Sequence, residues 1–179
     1  MKTNDLKEKI GEYGRDVRLN LSAILTPEGA PGLSTAQIWM TALACSYYTK
    51  DHDLVAAIAG DAGEALSPEA RAAAKSAAAI MAMNNIYYRF THLLEDKEIS
   101  KMPARLRMSV IGKPGVEKVD FELMCLAVSA MAGCGACINS HVHEVKKAGL
   151  SNEAVQSSVR IAAILNSVAQ SLEIERAGA

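Results

Sequence analysis

The chain has 179 residues, 50% of them hydrophobic, which is enough to build a sizeable core and argues against a largely disordered protein. Nineteen basic residues against twenty acidic ones give a formal net charge of -1, which argues against partners that need a strong positive field, such as nucleic acid or an anionic membrane. Because aromatic residues make up only 4% and alanine is abundant, we predict an all-α protein, folded as one domain over residues 1–179.

No targeting signal is visible at the beginning of the chain, where residues 1–8 have neither an apolar segment nor a small-residue cleavage site. We therefore expect a cytoplasmic protein. Residues 29–49 and 123–140 are free of charge, but their Gly, Ser, Thr and Ala content is too weakly apolar to predict a membrane span. Four cysteines are too few for a disulfide scaffold here, so we expect them to be buried, metal-binding or redox-active.

The first part of the chain contains three predicted helices. Apolar residues recur every three or four positions from Leu6 to Ile24, with Tyr13 among them, and this spacing predicts one amphipathic helix. Ser34 and Gln37 form the capping-box pattern that begins a second helix. A short third helix is expected to end near Gly60.

A long helix is predicted next, because Ser67 suits the N-cap and Pro68 the first helical position. The pattern fades at residues 95–98. The larger apolar side chains of this helix fall on one stripe, which we assign to the core or to a subunit interface: Ile80, Met83, Tyr87, Phe90 and Leu94.

The last part of the chain follows a clear break at residues 111–115. We predict one helix over residues 116–132, a second over residues 135–148, and a final helix that Ser151 opens. The whole chain then forms a single bundle of about seven helices.

The most informative motif is a C-x-x-C formed by Cys134 and Cys137 at the start of a predicted helix. This spacing lets two sulfurs join and separate with little backbone movement, and amides at a helix N-terminus stabilise a thiolate. Small residues on both sides, Gly133, Gly135 and Ala136, would leave the pair open to a second protein. Position on the helix alone favours the earlier cysteine as the thiolate.

Two further residues are predicted to join this dithiol. His141 lies four residues after Cys137, on the same face of the helix, where an imidazole could exchange a proton with the thiol. The midpoint between Glu122 and His141 falls beside Gly133, where we expect the helical hairpin to turn. Antiparallel packing would place Glu122 opposite His141, directly or across one water, and complete a proton relay.

With Glu122, Cys134, Cys137 and His141 at this spacing, the sequence resembles the AhpD-type alkyl hydroperoxide reductases, a family within the carboxymuconolactone decarboxylase superfamily. The resemblance is sharpest over residues 116–145. It implies an all-α homotrimer that re-reduces a partner peroxiredoxin, the AhpC component, and that also reduces organic hydroperoxides directly. Electrons would come from dihydrolipoamide or a lipoyl-bearing acyltransferase, with no cofactor bound to the chain itself.

The resemblance also implies a role for each of the four residues. Cys137 would attack the peroxide and pass through a sulfenic acid. Cys134 would be the more accessible, resolving thiol, which donates a proton and forms the mixed disulfide with the partner. Glu122 and His141 would deprotonate Cys137. Some family members have a histidine directly before the second cysteine, where this chain has Ala136.

Three alternatives compete with this hypothesis. Cys134, Cys137, His141 and His143 could in number supply four zinc ligands, although zinc sites usually have a longer loop between ligand pairs, and His143 would point away on the same helix. The two thiols could simply be buried core residues. A decarboxylase-like family member acting on a lactone-type substrate would use an acid/base pair but has no use for a dithiol.

The remaining cysteines and histidines have no predicted partners. Cys45 and Cys125 lie in apolar helices and are assigned to the core. His52, His92 and His143 are expected to be structural or exposed. No G-x-G-x-x-G or P-loop pattern accompanies them, so nucleotide, nicotinamide or flavin binding finds no support.

Overall fold

The fold is a bundle of helices, and the computed structural model describes residues 1–178 of it. The ten α-helices are α1 (Thr3–Lys9), α2 (Arg15–Ile24), α3 (Thr35–Thr49), α4 (His52–Ala62), α5 (Pro68–Leu93), α6 (Lys97–Ser100), α7 (Ser109–Gly112), α8 (Lys118–Ala132), α9 (Gly135–Lys147) and α10 (Asn152–Ala177). The predicted all-α class is confirmed. The count exceeds seven because the N-terminal helix is divided and because α6 and α7 are single turns.

Helix α8 lies at the centre of the bundle, and every residue from Phe121 to Ser129 is buried. Helices α3, α5, α9 and α10 pack against it, so that the apolar faces of the long helices form one continuous core. Within residues 1–178, none of the helices combines the length and the apolar character that a membrane span requires.

The predicted helix starts are confirmed by the side chains that cap them. Ser34 accepts a hydrogen bond from the N–H of Gln37 at 3.2 Å, and the Gln37 side chain accepts one from the N–H of Ser34 at 3.0 Å. Ser67 caps α5 in the same way through the N–H of Ala70, at 3.2 Å. Ser151 caps α10. These caps use N–H groups that have no partner inside the helix.

The single helix predicted from Leu6 to Ile24 is wrong, because the chain leaves the helical conformation at Ile10 and Gly11. The N–H of Gly11 donates a hydrogen bond to the Glu175 carboxylate of α10 at 2.8 Å, which pins the extended segment to that helix. A 3₁₀ turn then leads into α2 and leaves Tyr13 59% exposed. Glycine has a low helix propensity, so the hydrogen bond to Glu175 outweighs the apolar periodicity that predicted a continuous helix.

The core face of α5 also differs from the expected one. The stripe of large apolar residues is not buried: Ile80 is only half-buried, and Phe90 is 51% exposed. The buried face instead carries, apart from Met81, only small and polar residues: Ala70, Ala73, Ala74, Ala77, Ala78, Asn84 and Asn85. Small side chains on this face let α5 lie close to α3 and α8. Ile80 packs against the edge of the core, whereas Phe90 does not belong to it, and the alternative assignment to a subunit interface stays a prediction.

Candidate active site

The site is built on the turn between α8 and α9, where the predicted hairpin is confirmed. Gly133 ends α8 in the left-handed conformation, with φ 68°, and its N–H bonds to the carbonyl of Ala130. Glycine adopts this conformation without the steric cost that a Cβ atom brings. The Arg89 guanidinium of α5 donates a hydrogen bond to the Ala132 carbonyl at 2.6 Å. The end of α8 is therefore fixed immediately before the first cysteine of the motif.

Cys134 and Cys137 are joined by a disulfide at the beginning of α9, with their Cα atoms 5.3 Å apart. Cys134 is the N-cap residue, and its sulfur accepts a hydrogen bond from the N–H of Cys137 at 3.3 Å. The two sulfurs therefore lie at the N-terminus of α9, the positive end of the helix dipole. This position stabilises a thiolate once the disulfide is reduced.

Both cysteines are buried in the disulfide form, so the greater accessibility expected of Cys134 stays a prediction for the reduced dithiol. Cys134 is fully buried, whereas Cys137 is 6% exposed. Because the Cys134 side chain turns inward to cap α9, its sulfur is covered, while the neighbouring Gly133 and Gly135 are exposed. The backbone around Cys134 is thus open even though its sulfur is not.

Glu122 and His141 meet across the hairpin, as predicted for antiparallel packing. Oε2 of Glu122 lies 2.6 Å from Nδ1 of His141, a direct hydrogen bond without an intervening water. Both residues are buried, at 4% and 8% exposure. A carboxylate in this position orients the imidazole and stabilises the charge that the ring acquires when it takes up a proton.

A cavity of about 380 Å³ connects this pair to the dithiol. Glu122, His141 and Cys137 all line it, and Cys134 does not. Much of the remaining wall is apolar, formed by Met81, Tyr88, Met108 and Ile111. A small molecule with an apolar body could therefore reach the sulfur of Cys137 next to the Glu122–His141 pair.

The four residues considered for zinc do not form a tetrahedral cluster. His143 is exposed, while His141 is buried against Glu122. Within residues 1–178, no group of three or more His, Cys, Asp or Glu side chains is arranged to hold a metal ion.

The other two cysteines lie in the core, as expected. Burial raises the pKa of the Cys45 thiol far above its usual value. Burial also raises the pKa of the Cys125 thiol, and the negative charge of Glu122 adds to that effect. Both remain protonated near neutral pH and are poor nucleophiles. His52 and His92 are exposed.

Sequence reasoning overlooked two polar residues near the site, Asn84 and Asn85 on α5. They are 4% and 1% exposed, and Asn84 lines the cavity. The sequence did contain a signal for them, namely two adjacent asparagines in a helix that is otherwise rich in alanine. It was missed because the large apolar stripe indicated the opposite face of α5 as the buried one.

Similarity to known proteins covers both the site and the rest of the chain. Residues 97–177 match the model of the carboxymuconolactone decarboxylase family. The chain is 47% identical to a protein of Rhodospirillum centenum, over 99% of this chain and 94% of that protein. It is 53% identical to one from a strain of Rhodopseudomonas palustris, over 94% and 91% of the two chains. A Coxiella burnetii protein is 46% identical, over 94% and 96%. All three relatives are named alkyl hydroperoxide reductase AhpD.

Proposed function

Because the chain belongs to the AhpD family of alkyl hydroperoxide reductases, we propose that it reduces organic hydroperoxides through the Cys134–Cys137 dithiol. One observation carries the proposal: Cys137 shares a single cavity with a buried carboxylate–imidazole pair. A thiol beside a base of this kind can be deprotonated where the substrate binds.

The reaction begins with the reduced dithiol. His141, oriented by Glu122, takes the proton of Cys137, and the thiolate attacks the terminal oxygen of the hydroperoxide. A sulfur–oxygen bond forms and the O–O bond breaks, giving a sulfenic acid on Cys137 and an alkoxide. The alkoxide takes the proton back and leaves as an alcohol. Two electrons have then passed from sulfur to the peroxide.

The second half of the cycle restores the dithiol. The Cys134 thiol attacks the sulfenic acid on Cys137, which releases water and forms the disulfide that the structure contains. A dihydrolipoyl group, free or carried by a lipoyl-bearing acyltransferase, reduces this disulfide by thiol–disulfide exchange and becomes a cyclic disulfide. No cofactor bound to the chain takes part in this scheme.

We also propose that the dithiol passes electrons to a partner peroxiredoxin, the AhpC component, through a mixed disulfide on Cys134. The exposed backbone of Gly133 and Gly135 supports this role, since another chain can approach there without meeting a side chain. The buried sulfur of Cys134 must then rotate outward on reduction. A dithiol that is re-reduced in every cycle suits a reducing compartment, and the proposal places the enzyme in the cytoplasm.

We further propose that the chain forms a homotrimer, and the apolar surface of α5 supports this assembly. Ile86, Phe90 and Leu93 are 67%, 51% and 72% exposed, and their spacing puts them on one side of the helix. Large apolar side chains arranged in this way are typical of a protein–protein interface. Replacing Phe90 with Asp should convert the trimer into smaller species in light scattering; a wild-type chain that is monomeric at micromolar concentration would contradict this assembly.

A thiol count tests the proposed function. The reduced protein is treated with a slight excess of tert-butyl hydroperoxide, and free thiols and bound zinc are measured before and after; dihydrolipoamide is then added. We expect the loss of two thiols without zinc, reversed by dihydrolipoamide. Cys137→Ser should abolish both the peroxide reaction and the disulfide, whereas Cys45→Ala should leave both unchanged.

The competing hypotheses give different results in the same experiment. One zinc per chain with thiols that resist peroxide would turn the motif into a structural metal site. Thiols that neither bind zinc nor react with hydroperoxide would favour acid/base chemistry on a lactone-type substrate, for which the Glu122–His141 pair alone would suffice.

A further inference from the structure

The two adjacent asparagines of α5 each have a buried carboxamide with one atom that lacks a hydrogen-bond partner. Oδ1 of Asn85 accepts a hydrogen bond from the hydroxyl of Ser129 on α8, at 2.9 Å. Oδ1 of Asn84 and Nδ2 of Asn85 are both buried and have no hydrogen-bond partner within residues 1–178. A buried polar atom without a partner is costly, and in native proteins it calls for a specific explanation.

For Asn84, the position of the side chain provides that explanation, because only this asparagine faces the cavity. Its side chain lines the same cavity as Cys137, Glu122 and His141, whereas Asn85 does not line it. An unsatisfied carboxamide facing a binding cavity is complementary to a ligand that brings its own hydrogen-bonding group. The neighbouring apolar side chains, Met81 among them, cannot provide that group.

Apart from the Glu122–His141 pair, which serves the proton of Cys137, the other polar groups of the cavity are occupied or lie near its rim. Nδ1 of His141 is bonded to Glu122, and the hydroxyl of Tyr88 donates to the sulfur of Met108 at 3.8 Å. Ser140 is exposed, and Glu144 pairs with Lys118 at 3.6 Å. Asn84 therefore offers an unused hydrogen-bonding group in the buried part of the cavity.

We propose that the carboxamide of Asn84 binds the –O–O–H group of the substrate and orients its terminal oxygen toward the sulfur of Cys137. This assignment rests on the proposed function. A hydroperoxide has one O–H donor and two oxygen acceptors, and a carboxamide has one oxygen acceptor and two N–H donors, so the two groups are complementary. The organic part of the substrate lies against Met81, Tyr88, Met108 and Ile111.

The hydrogen bond can persist through the chemical step. When the thiolate attacks, the terminal oxygen moves from the O–O bond to the sulfur and keeps its hydrogen, so that the product is Cys137–S–O–H. The group that Asn84 binds in the hydroperoxide is thus still present in the sulfenic acid. The same contact holds the intermediate in place until Cys134 attacks it.

The test compares two oxidants of the same thiol. Tert-butyl hydroperoxide carries the O–H group, and the aromatic disulfide dithiobis(nitrobenzoate) does not. With pre-reduced protein under single-turnover conditions, Asn84→Ala and Asn84→Leu should lower the second-order rate constant for the hydroperoxide by about tenfold, or about 1.4 kcal/mol. The rate constant for the aromatic disulfide should be unchanged.

Asn85→Ala is the matched control, because it removes the same side chain one position later on the same helix. It should lower the melting temperature, since Ser129 loses its oxygen acceptor and keeps only the sulfur of Met81 at 3.6 Å, and leave the hydroperoxide rate of the folded protein unchanged. The two Asn84 variants lose no internal hydrogen bond from Oδ1 and should melt no earlier than Asn85→Ala.

The alternative outcomes are distinct. Wild-type hydroperoxide rates in both Asn84 variants, or equal losses with both oxidants, would overturn the assignment. If the Asn84 variants are slower only in the re-reduction of the disulfide by dihydrolipoamide, then Asn84 binds the amide of the lipoyl group instead of the hydroperoxide. This result would also overturn the assignment. A wild-type protein that does not react with hydroperoxide would overturn the proposed function itself.

Discussion

Replacing Glu122 with Gln tests whether the buried carboxylate drives deprotonation of the thiol. Glutamine has the same shape and can still hydrogen-bond to Nδ1 of His141, which lies 2.6 Å from the carboxylate oxygen. What it lacks is the negative charge. The variant therefore isolates the electrostatic part of the interaction.

The magnitude follows from the burial of the pair. Once His141 has taken the thiol proton, a carboxylate and an imidazolium face each other with charge centres about 4 Å apart, which corresponds to a gross attraction of about 4 kcal/mol at an effective dielectric constant of about 20. Because Gln keeps a neutral hydrogen bond, the net loss is about 1.5–3 kcal/mol. We expect thiol oxidation to slow by about 10-fold to 150-fold.

Single-turnover kinetics of the pre-reduced protein measure this effect. Both tert-butyl hydroperoxide and dithiobis(nitrobenzoate) should react more slowly, because the proton leaves Cys137 before either oxidant is attacked. Glu144→Gln is the matched control, since Glu144 also lines the cavity but is partly exposed and paired with Lys118. The electrostatic role of Glu122 would be refuted if Glu122→Gln reacted with the hydroperoxide as fast as the wild type does. It would also be refuted if Glu144→Gln lowered the hydroperoxide rate by the same factor as Glu122→Gln.

Three predictions concern stability, measured by urea unfolding. Gly133→Ala should cost about 1–2 kcal/mol because φ is 68° there, although no atom lies within 4 Å of the new Cβ; an unchanged midpoint would show that the turn relaxes. Asn85→Ala should cost about 0.5–1.5 kcal/mol, because Ser129 loses its oxygen acceptor and keeps only the sulfur of Met81, and a stabilised variant would contradict this account. Burial raises the pKa of Cys45 and Cys125, so above a pH of about 8.5 the unfolded chain binds fewer protons than the folded one, and stability should fall by up to about 1.4 kcal/mol per pH unit for each thiol. Replacing both with Ala should flatten this slope, and an unchanged slope would assign it to other groups.

The hairpin that carries the site could be predicted because its geometry is local. The glycine after Ala132 and the small residues around the motif indicate where α8 ends, and equal distances from that turn place Glu122 opposite His141. The capping residues Ser34 and Ser67 act within a single turn of helix, and for that reason their sequence patterns also predicted the correct starts. In the N-terminal segment, by contrast, the carboxylate that decides the path of Gly11 comes from the other end of the chain. No local pattern could have indicated it.

The wall of the cavity opposite the hairpin could not be predicted, and the reason lies in how α5 packs. Large apolar residues normally identify the buried face of a helix, and by that rule Phe90 and its stripe would face inward. In this bundle small residues face α3 and α8, and the large ones remain outside. Only the observed packing of α5 shows that Asn84 is a buried carboxamide in the same cavity as Cys137. In an alanine-rich helix, the polar residues that share the alanine face are therefore the ones to examine for function.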